Sequence, residues 1–285
     1  MNHDLGEFLR SRRARVRPDD VGLPGGGRRR VPGLRREELA LLAGVSVDYY
    51  MRLEQGRTPA VSDSVLDAVA RVLRLDETER THLRNLVRPA PSKRPAPQRV
   101  RPGLRRLLDM VDDVPAFVMG RRSDILAWNP LAGALYGFAD LPPEDRNSAR
   151  HTFLRPESRA FYRDWSTVAA DMVAFLRLDA GRYPDDARLA ALVGELSVKD
   201  ETFRKLWAQH KVLEKTHGTK LITHPVVGDL DLDYETLHPT GDPDLVLAVY
   251  TARAGSPTEE RLKLLASWSA VPSGTSSGTP SEQQA

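Results

Sequence analysis

The hydrophobic positions of this 285-residue chain fall into two textures. Over the first 88 residues they recur at helical spacing in short runs. "LGEFLRSRRARV" sets Leu5, Phe8, Leu9 and Val16 on one side and a string of arginines on the other, which predicts an amphipathic helix. "RREELALLA" and "VDYYMRLEQ" are two more helical runs, separated only by Gly44-Val45-Ser46. A helix behind a Ser62 or Asp63 cap carries Val65, Leu66, Val69 and Leu73, and another behind Asp76 carries Leu83, Leu86 and Val87. From about residue 104 helical and alternating patterns mix. "LRRLLDMV" begins a helix, and "PAFVMGRRSDILAWNPLAGALYG" reads as strand, turn over Arg121 to Asp124, strand, and a helix capped by Asn129. "FYRDWSTVAADMVAFLR" places Trp165, Val168, Met172 and Phe175 on one helical face, and "DARLAALVGELSVKDETFRKLWAQHKV" supplies two helices. "TKLITHPVVGDLDLDYETLHPTGDPDLVLAVYTA" alternates as three antiparallel strands with Gly and Pro turns.

The break at Gly44 fixes more than its length implies. Glycine at the end of the first run readily takes a left-handed conformation and Ser46 caps the second, so the two helices cannot be collinear and must cross steeply. Leu39, Leu42 and Ala43 then face inward, with Ala40 small enough for close contact, and Val45, Tyr50 and Leu53 form the matching set. Val47, Asp48, Met51, Arg52 and Gln55 are left outside. That is the layout of a helix-turn-helix offering a mixed face to a DNA major groove, although an ordinary helical hairpin satisfies the turn taken alone. Five short helices with the turn between the second and third resemble the lambda-repressor and Cro type of DNA-binding domain, the XRE family. The resemblance covers about residues 4–88 and is carried by "ELALLAGVSVDYYMRLEQGR". On that template Ser46, Val47, Asp48, Met51, Arg52 and Gln55 sit where base edges of a double-stranded operator are read, and Arg57 with Arg28, Arg29 and Arg30 where phosphates are held. A single short reading helix selects too few base pairs, so a homodimer on an inverted repeat is expected.

Charge supports this placement. Residues 1–88 hold 17 basic against 13 acidic side chains, residues 89–106 hold 6 against none, and the remaining 179 residues hold 19 against 26. Positive charge is thus concentrated where phosphates would be met. The glycine-rich loop "RPDDVGLPGGGRRRVPG" is either an arm whose Arg28-Arg29-Arg30 grips phosphate or minor groove, or a solvated loop kept soluble by its arginines. "RPAPSKRPAPQRVRPG", with five prolines, reads as a semi-rigid spacer. The Ser/Gly/Thr-rich tail after Pro272 lacks an apolar anchor and reads as disordered. Domains are therefore expected at 1–88 (reader), 89–103 (linker), 104–268 and 269–285 (tail), the third expected to fold on its own.

Two strands, intervening helices and three strands are the element order of a PAS-like α+β sensor domain. Residues 104–268, joined to such a reader, resemble the MmyB-like family of actinobacterial regulators. The matching stretches are "AWN" at 127–129, "LR" at 176–177, "LWAQHKV" at 206–212, "HPVVGDLDL" at 224–232 and "ARAGSPTEERLKLL" at 252–265. The resemblance implies a multidomain chain, with an N-terminal all-α lambda-repressor-like five-helix domain and a C-terminal α+β PAS-like domain whose hydrophobic pocket takes fatty-acid-like ligands. From the residues alone, Phe117, Trp128, Tyr136, Trp165, Met172, Phe175, Trp207 and Tyr234 are candidates either for pocket lining or for packed core. A lipid carboxylate needs a cation or donors, for which Arg177 and His210 are candidates; equally, Arg177 pairs with a carboxylate and His210 is a satisfied core histidine. A protein-interaction or dimerisation module with no small-molecule ligand is the competing reading.

Catalysis has no constellation to rest on. The chain contains no cysteine, no H-E-x-x-H and no G-x-S-x-G. His210, His217 and His224 are seven apart, too far along a helix to share a metal. Asp231 and Asp233 fit a solvated strand edge better than a carboxylate pair. No cofactor or metal is expected. The first residues have no apolar signal region and no run spans a membrane, so the expected location is cytoplasmic.

Overall fold

A computed structural model describes residues 3–24, 33–58, 60–89, 98–214 and 216–269. The Arg28 to Arg30 cluster, most of the proline spacer and the tail beyond 269 lie outside the described residues. In chain order the helices and strands are α1 (His3–Arg15), α2 (Arg36–Ala43), α3 (Val47–Glu54), α4 (Asp63–Val72), α5 (Glu77–Val87), α6 (Pro102–Asp109), β1 (Ala116–Met119), β2 (Ile125–Trp128), α7 (Pro130–Tyr136), α8 (Ser148–Leu154), α9 (Ser158–Phe161), α10 (Trp165–Arg182), α11 (Ala187–Lys199), α12 (Glu201–Trp207), β3 (His217–His224), β4 (Gly228–Leu237), β5 (Val246–Thr251) and α13 (Pro257–Ser269). The N-terminal segment is all-helical, and the C-terminal segment mixes helices with a sheet. The predicted caps are in place: Ser62 accepts from Val65 N at the start of α4, and Asp76 from Glu79 N at the start of α5. Helices α8, α9 and α13 were not legible as such in the sequence pattern.

The chain packs as two compact units that interleave along the sequence. The first takes the described residues within 1–98, 120–124 and 147–216, and so joins α1–α5 with α8–α12. Its reader core is built from Leu5, Phe8, Leu9, Leu39, Tyr50, Leu53, Leu66, Val69, Leu83 and Leu86, and Leu178 of α10 and Val212 belong to the same cluster. Burying each such side chain is worth about 1.5–3 kcal/mol. A second cluster within this unit gathers Phe153, Val173, Leu176, Leu189, Leu192, Leu196 and Phe203 from α8 and α10–α12.

The second unit holds the sheet, antiparallel throughout, in the order β2-β1-β5-β4-β3. Phe117 stands opposite Trp128 and Ala248, and Tyr250 opposite Tyr234, which fixes one face of the sheet. The other face carries Ala116, Val118, Ala127 and Leu247, packed with Leu108 of α6. Asn129 joins the sheet to α7 and is fully buried. Its Oδ1 accepts from Ala132 N and Ala116 N, and its Nδ2 donates to the carbonyls of Val111 and Val114 at 2.7 Å each. Asp231 and Asp233 are exposed as expected, but β4 lies inside the sheet and β3 forms that edge. Among the described residues no helix is long and apolar enough to cross a membrane.

Candidate nucleic-acid interface and sensor-domain residues

Helix α2 ends at Gly44 in a left-handed conformation (φ 68°), and Ser46 Oγ accepts a hydrogen bond from Tyr49 N at 3.1 Å to start α3. A residue with a Cβ at position 44 would be strained by its backbone alone. Leu39, Ala40, Tyr50 and Leu53 are buried, while Leu42, Ala43 and Val45 are half-buried against the same core. The opposite side of α3 leaves Asp48 and Arg52 exposed, with Ser46 before the helix and Gln55 and Arg57 after it; Val47 and Met51 are half-buried. Of the six residues expected at base edges, four are thus exposed and two half-buried.

What holds α3 was not visible in the sequence. Glu54, its last residue, is 1% exposed and receives two guanidinium groups. Arg13 of α1 donates to its two oxygens at 3.0 and 3.1 Å, and Arg36 of α2 donates to Oε1 at 3.0 and 2.8 Å. Burial raises the Glu54 pKa, but the hydrogen bonds from Arg13 and Arg36 outweigh it and hold the carboxyl below its ordinary value. The Tyr50 phenol is pushed above its ordinary range by burial and by the adjacent Glu54. Gly6 lets α1 approach closely, since a Cβ there would lie 2.5 Å from the Glu54 carbonyl oxygen. A clue was present: Glu54 falls four residues after Tyr50, on the inward face.

The arginines of α1 are not all on its solvent side. Arg12 is 2% exposed, with its Nε 2.7 Å from Glu79 Oε1, its Nη2 donating to the His210 carbonyl at 2.7 Å and its guanidinium over the Phe8 ring. His82 of α5 is buried edge-on to Phe8.

The sensor-domain candidates divide between the units. Trp128 lies in the sheet unit, beside Phe138 and under the Arg146 guanidinium. Trp165, Met172, Phe175, Arg177, Trp207 and His210 lie in the helical unit. Trp165 packs edge-on to Phe153 and donates its Nε1 hydrogen to the Thr152 carbonyl at 3.0 Å, and Trp207 stacks on Phe203. Phe175 is half-buried. The Met172 sulfur accepts from Ser123 Oγ at 3.3 Å. Arg177 is buried, stacked 3.8 Å over Trp207, donating to the Trp207 carbonyl and paired with Asp4 of α1 at 3.6 Å. His210 has a left-handed backbone (φ 51°) and its ring lies 3.8 Å from Glu7. Both residues thus have partners on α1.

Also missed was an ionic knot at the β1–β2 turn. Arg122 and Ser123 both have positive φ (60° and 63°), a conformation costing roughly 1–3 kcal/mol per residue. The turn is held because Arg122 N donates to Asp179 at 2.9 Å, its guanidinium bonds Asp186 and Asp124 at 2.8 Å each, and Asn147 donates to the Arg122 carbonyl and to Asp124. Asp179, Asp186 and Asn147 come from separate segments, and spacing alone cannot pair them with Arg122. Among the described residues no group of His, Cys, Asp or Glu is arranged to hold a metal ion.

The reader geometry and the mixed α+β segment define a class, that of helix-turn-helix DNA-binding regulators carrying a ligand-binding-type domain. Residues 4–83 match the helix-turn-helix domain family, and residues 100–265 match the MmyB-like transcription regulator ligand binding domain. The chain belongs to the MmyB-like family of transcription regulators. No curated protein sequence matches it significantly.

Proposed function

We propose that the chain reads a specific DNA operator with α3 and changes that reading when its C-terminal domain takes up a small apolar, fatty-acid-like ligand. The observation that carries the first half is the exposure of Ser46, Asp48, Arg52, Gln55 and Arg57, on and flanking a helix whose other side is buried through Tyr50, Leu53 and Glu54. In this reading Val47 and Met51 give apolar contact to bases, and Arg28 to Arg30 add phosphate contacts. The second half is supported by the match of residues 100–265 to a ligand-binding family.

The finer fold reading is lambda-repressor-like for 1–88, supported by five helices with the turn between α2 and α3. For 104–268 it is PAS-like, supported by the sheet order β2-β1-β5-β4-β3 with helices inserted between β2 and β3. Residues 89–103 act as linker and 269–285 as tail. The protein works in the cytoplasm as a homodimer. Trp128, Trp165, Met172, Phe175, Arg177, Trp207 and His210 are the residues to test for a ligand response. A ligand alters operator affinity only through its unequal affinity for two arrangements of the chain, so occupancy alone is insufficient.

The test uses the full chain and an operator selected from random-sequence duplexes. Native mass spectrometry checks for co-purified lipid, and operator binding is measured while long-chain fatty acids are titrated. A saturable change in operator affinity is expected. Selection of a defined operator with no lipid bound, or with lipid bound and affinity unchanged, overturns the sensing half.

A further inference from the structure

Helix α1 has two occupied sides. On one, Gly6 meets the backbone of Glu54 and Arg13 bonds the Glu54 carboxylate, so α1 is the support on which the end of α3 rests. On the other, Asp4 pairs with Arg177 of α10, Glu7 faces the His210 ring, and Arg12 donates to the His210 carbonyl. Arg12 and Arg177 are 2% and 5% exposed, so the guanidinium ends of these contacts are buried, while the Asp4 side chain is 61% exposed at the rim. Arg177 also bonds the Trp207 carbonyl and lies flat on its ring, which ties α10 to the end of α12 at the same place.

Apolar packing completes the contact. Leu178 and Val212 share a core with the α1 and α5 residues Leu5, Phe8, Leu9, Leu83 and Leu86. Gly181 of α10 meets His82 so closely that a Cβ would lie 2.4 Å from the imidazole ring. His210 holds a left-handed backbone that a non-glycine residue adopts only when its surroundings impose it. Asp48, Arg52 and Gln55 stay exposed while all of this is in place.

We propose that this face, built from Arg177, Gly181 and the Trp207–Val212 stretch against α1 and α5, is the coupling interface through which the sensor helices position the recognition helix, with the docked arrangement the DNA-competent one. Arg12, Arg177 and His210 are positioning residues; they act on α3 through α1. The direction follows from the geometry. Docking covers α1 and α5 and leaves the reading surface free, and loosening α1 releases the support under Glu54. This rests on the reading of α3 as the recognition helix, and it locates the regulation of that reading within the first unit.

The experiment uses the full chain with two kinds of variant. Gly181→Ala drives a methyl group into His82 while improving the helix propensity of α10. Arg177→Met removes the charge and keeps an apolar stem. Hydrogen exchange by mass spectrometry is followed in α1, α3 and α11, and affinity is measured for an operator selected by the wild-type chain. Both variants are expected to exchange faster in α1 and α3, to leave α11 unchanged, and to bind the operator about tenfold more weakly. Should either fail to fold, Asp4→Asn, at the exposed end of the interface, is expected to show the same pattern in smaller degree. Wild-type exchange in α1 and α3, or operator affinity equal to or tighter than wild type, overturns the proposal. If the wild-type chain selects no operator, the recognition reading fails, and the exchange measurements alone still decide the coupling.

Discussion

Two residues of α3, two positions apart in sequence, do opposite work. Arg52 is exposed, whereas Glu54 is buried under two guanidinium groups. Arg52→Ala is expected to cost about 1–3 kcal/mol of operator affinity and to relax base preference, while leaving the unfolding free energy within about 0.5 kcal/mol. Glu54→Ala is expected to lower stability by about 3 kcal/mol or more, because Arg13 is left partly buried without its partner. Binding isotherms on matched and mismatched duplexes, with urea unfolding of each variant, check both. An Arg52→Ala protein with unchanged affinity and specificity removes the base-reading assignment. At this scale the exposed residues were legible from helical spacing, which says which side a residue lies on. Glu54, Arg12, His82 and Arg122 were not, because each is made tolerable by partners from other segments, and a buried charge looks in sequence like a surface one.

Among elements, caps and breaks were the most legible features: Gly44, Ser46, Ser62, Asp76 and Asn129 act where short-range chemistry placed them. Strands β3 to β5 followed from alternation. Helices α8 and α9 are too short to show a period, and α13 was seen only as part of a resemblance. Which element packs on which was not legible either, since periodicity marks a buried face without naming its neighbour. The contact of α5 with α10 is such a case, and it predicts a pH response. His82 is held at a pKa of about 3, by burial first and then by Arg177, Arg12, His210 and Arg182. His210 is held at about 4, by burial and then Arg177, against the opposing pull of Glu7 and Asp4, with Arg12 adding to the lowering. Both values lie below that of an unfolded histidine, so as pH falls through about 6.5 the unfolded chain takes up protons first. Stability from these groups is complete above that pH and is lost progressively toward pH 4. Urea unfolding between pH 7 and 4.5 is expected to show a loss on the order of 1 kcal/mol per pH unit for each such histidine. His151, held at about 4 by burial, adds to the same slope, so His82→Leu is expected to reduce it by roughly a third at most. Equal slopes in the variant and the wild type would remove His82 from the account.

For the whole molecule, the linear plan of reader, spacer and α+β segment was legible, and the two family matches, at 4–83 and 100–265, follow it. The packing does not follow the linear plan, because α8–α12 share a compact unit with α1–α5 while the strands and α6, α7 and α13 form the other. Sequence separates these helices from the reader by the spacer and the first two strands, and nothing in a hydrophobic pattern reveals that Leu178 and Val212 complete a core begun at Leu5. The assembly state is a consequence of how little one reader can read. A single α3 exposes Asp48, Arg52 and Gln55 with Ser46 at its start, enough for a few base pairs, and specific sites must compete with a genome of nonspecific ones. Each correct base pair is worth roughly 1–3 kcal/mol, so two copies reading two half-sites multiply selectivity where one copy cannot reach it. Footprinting on the selected operator is therefore expected to show an inverted repeat with half-site centres about one helical turn, roughly 34 Å, apart, and the complex to contain two chains by mass. Insertion of five base pairs between the half-sites turns one of them to the opposite side of the duplex and is expected to abolish the tight complex while preserving weak binding to each half. A single asymmetric site, occupied by one chain and indifferent to that insertion, would show that selectivity is supplied within one protomer.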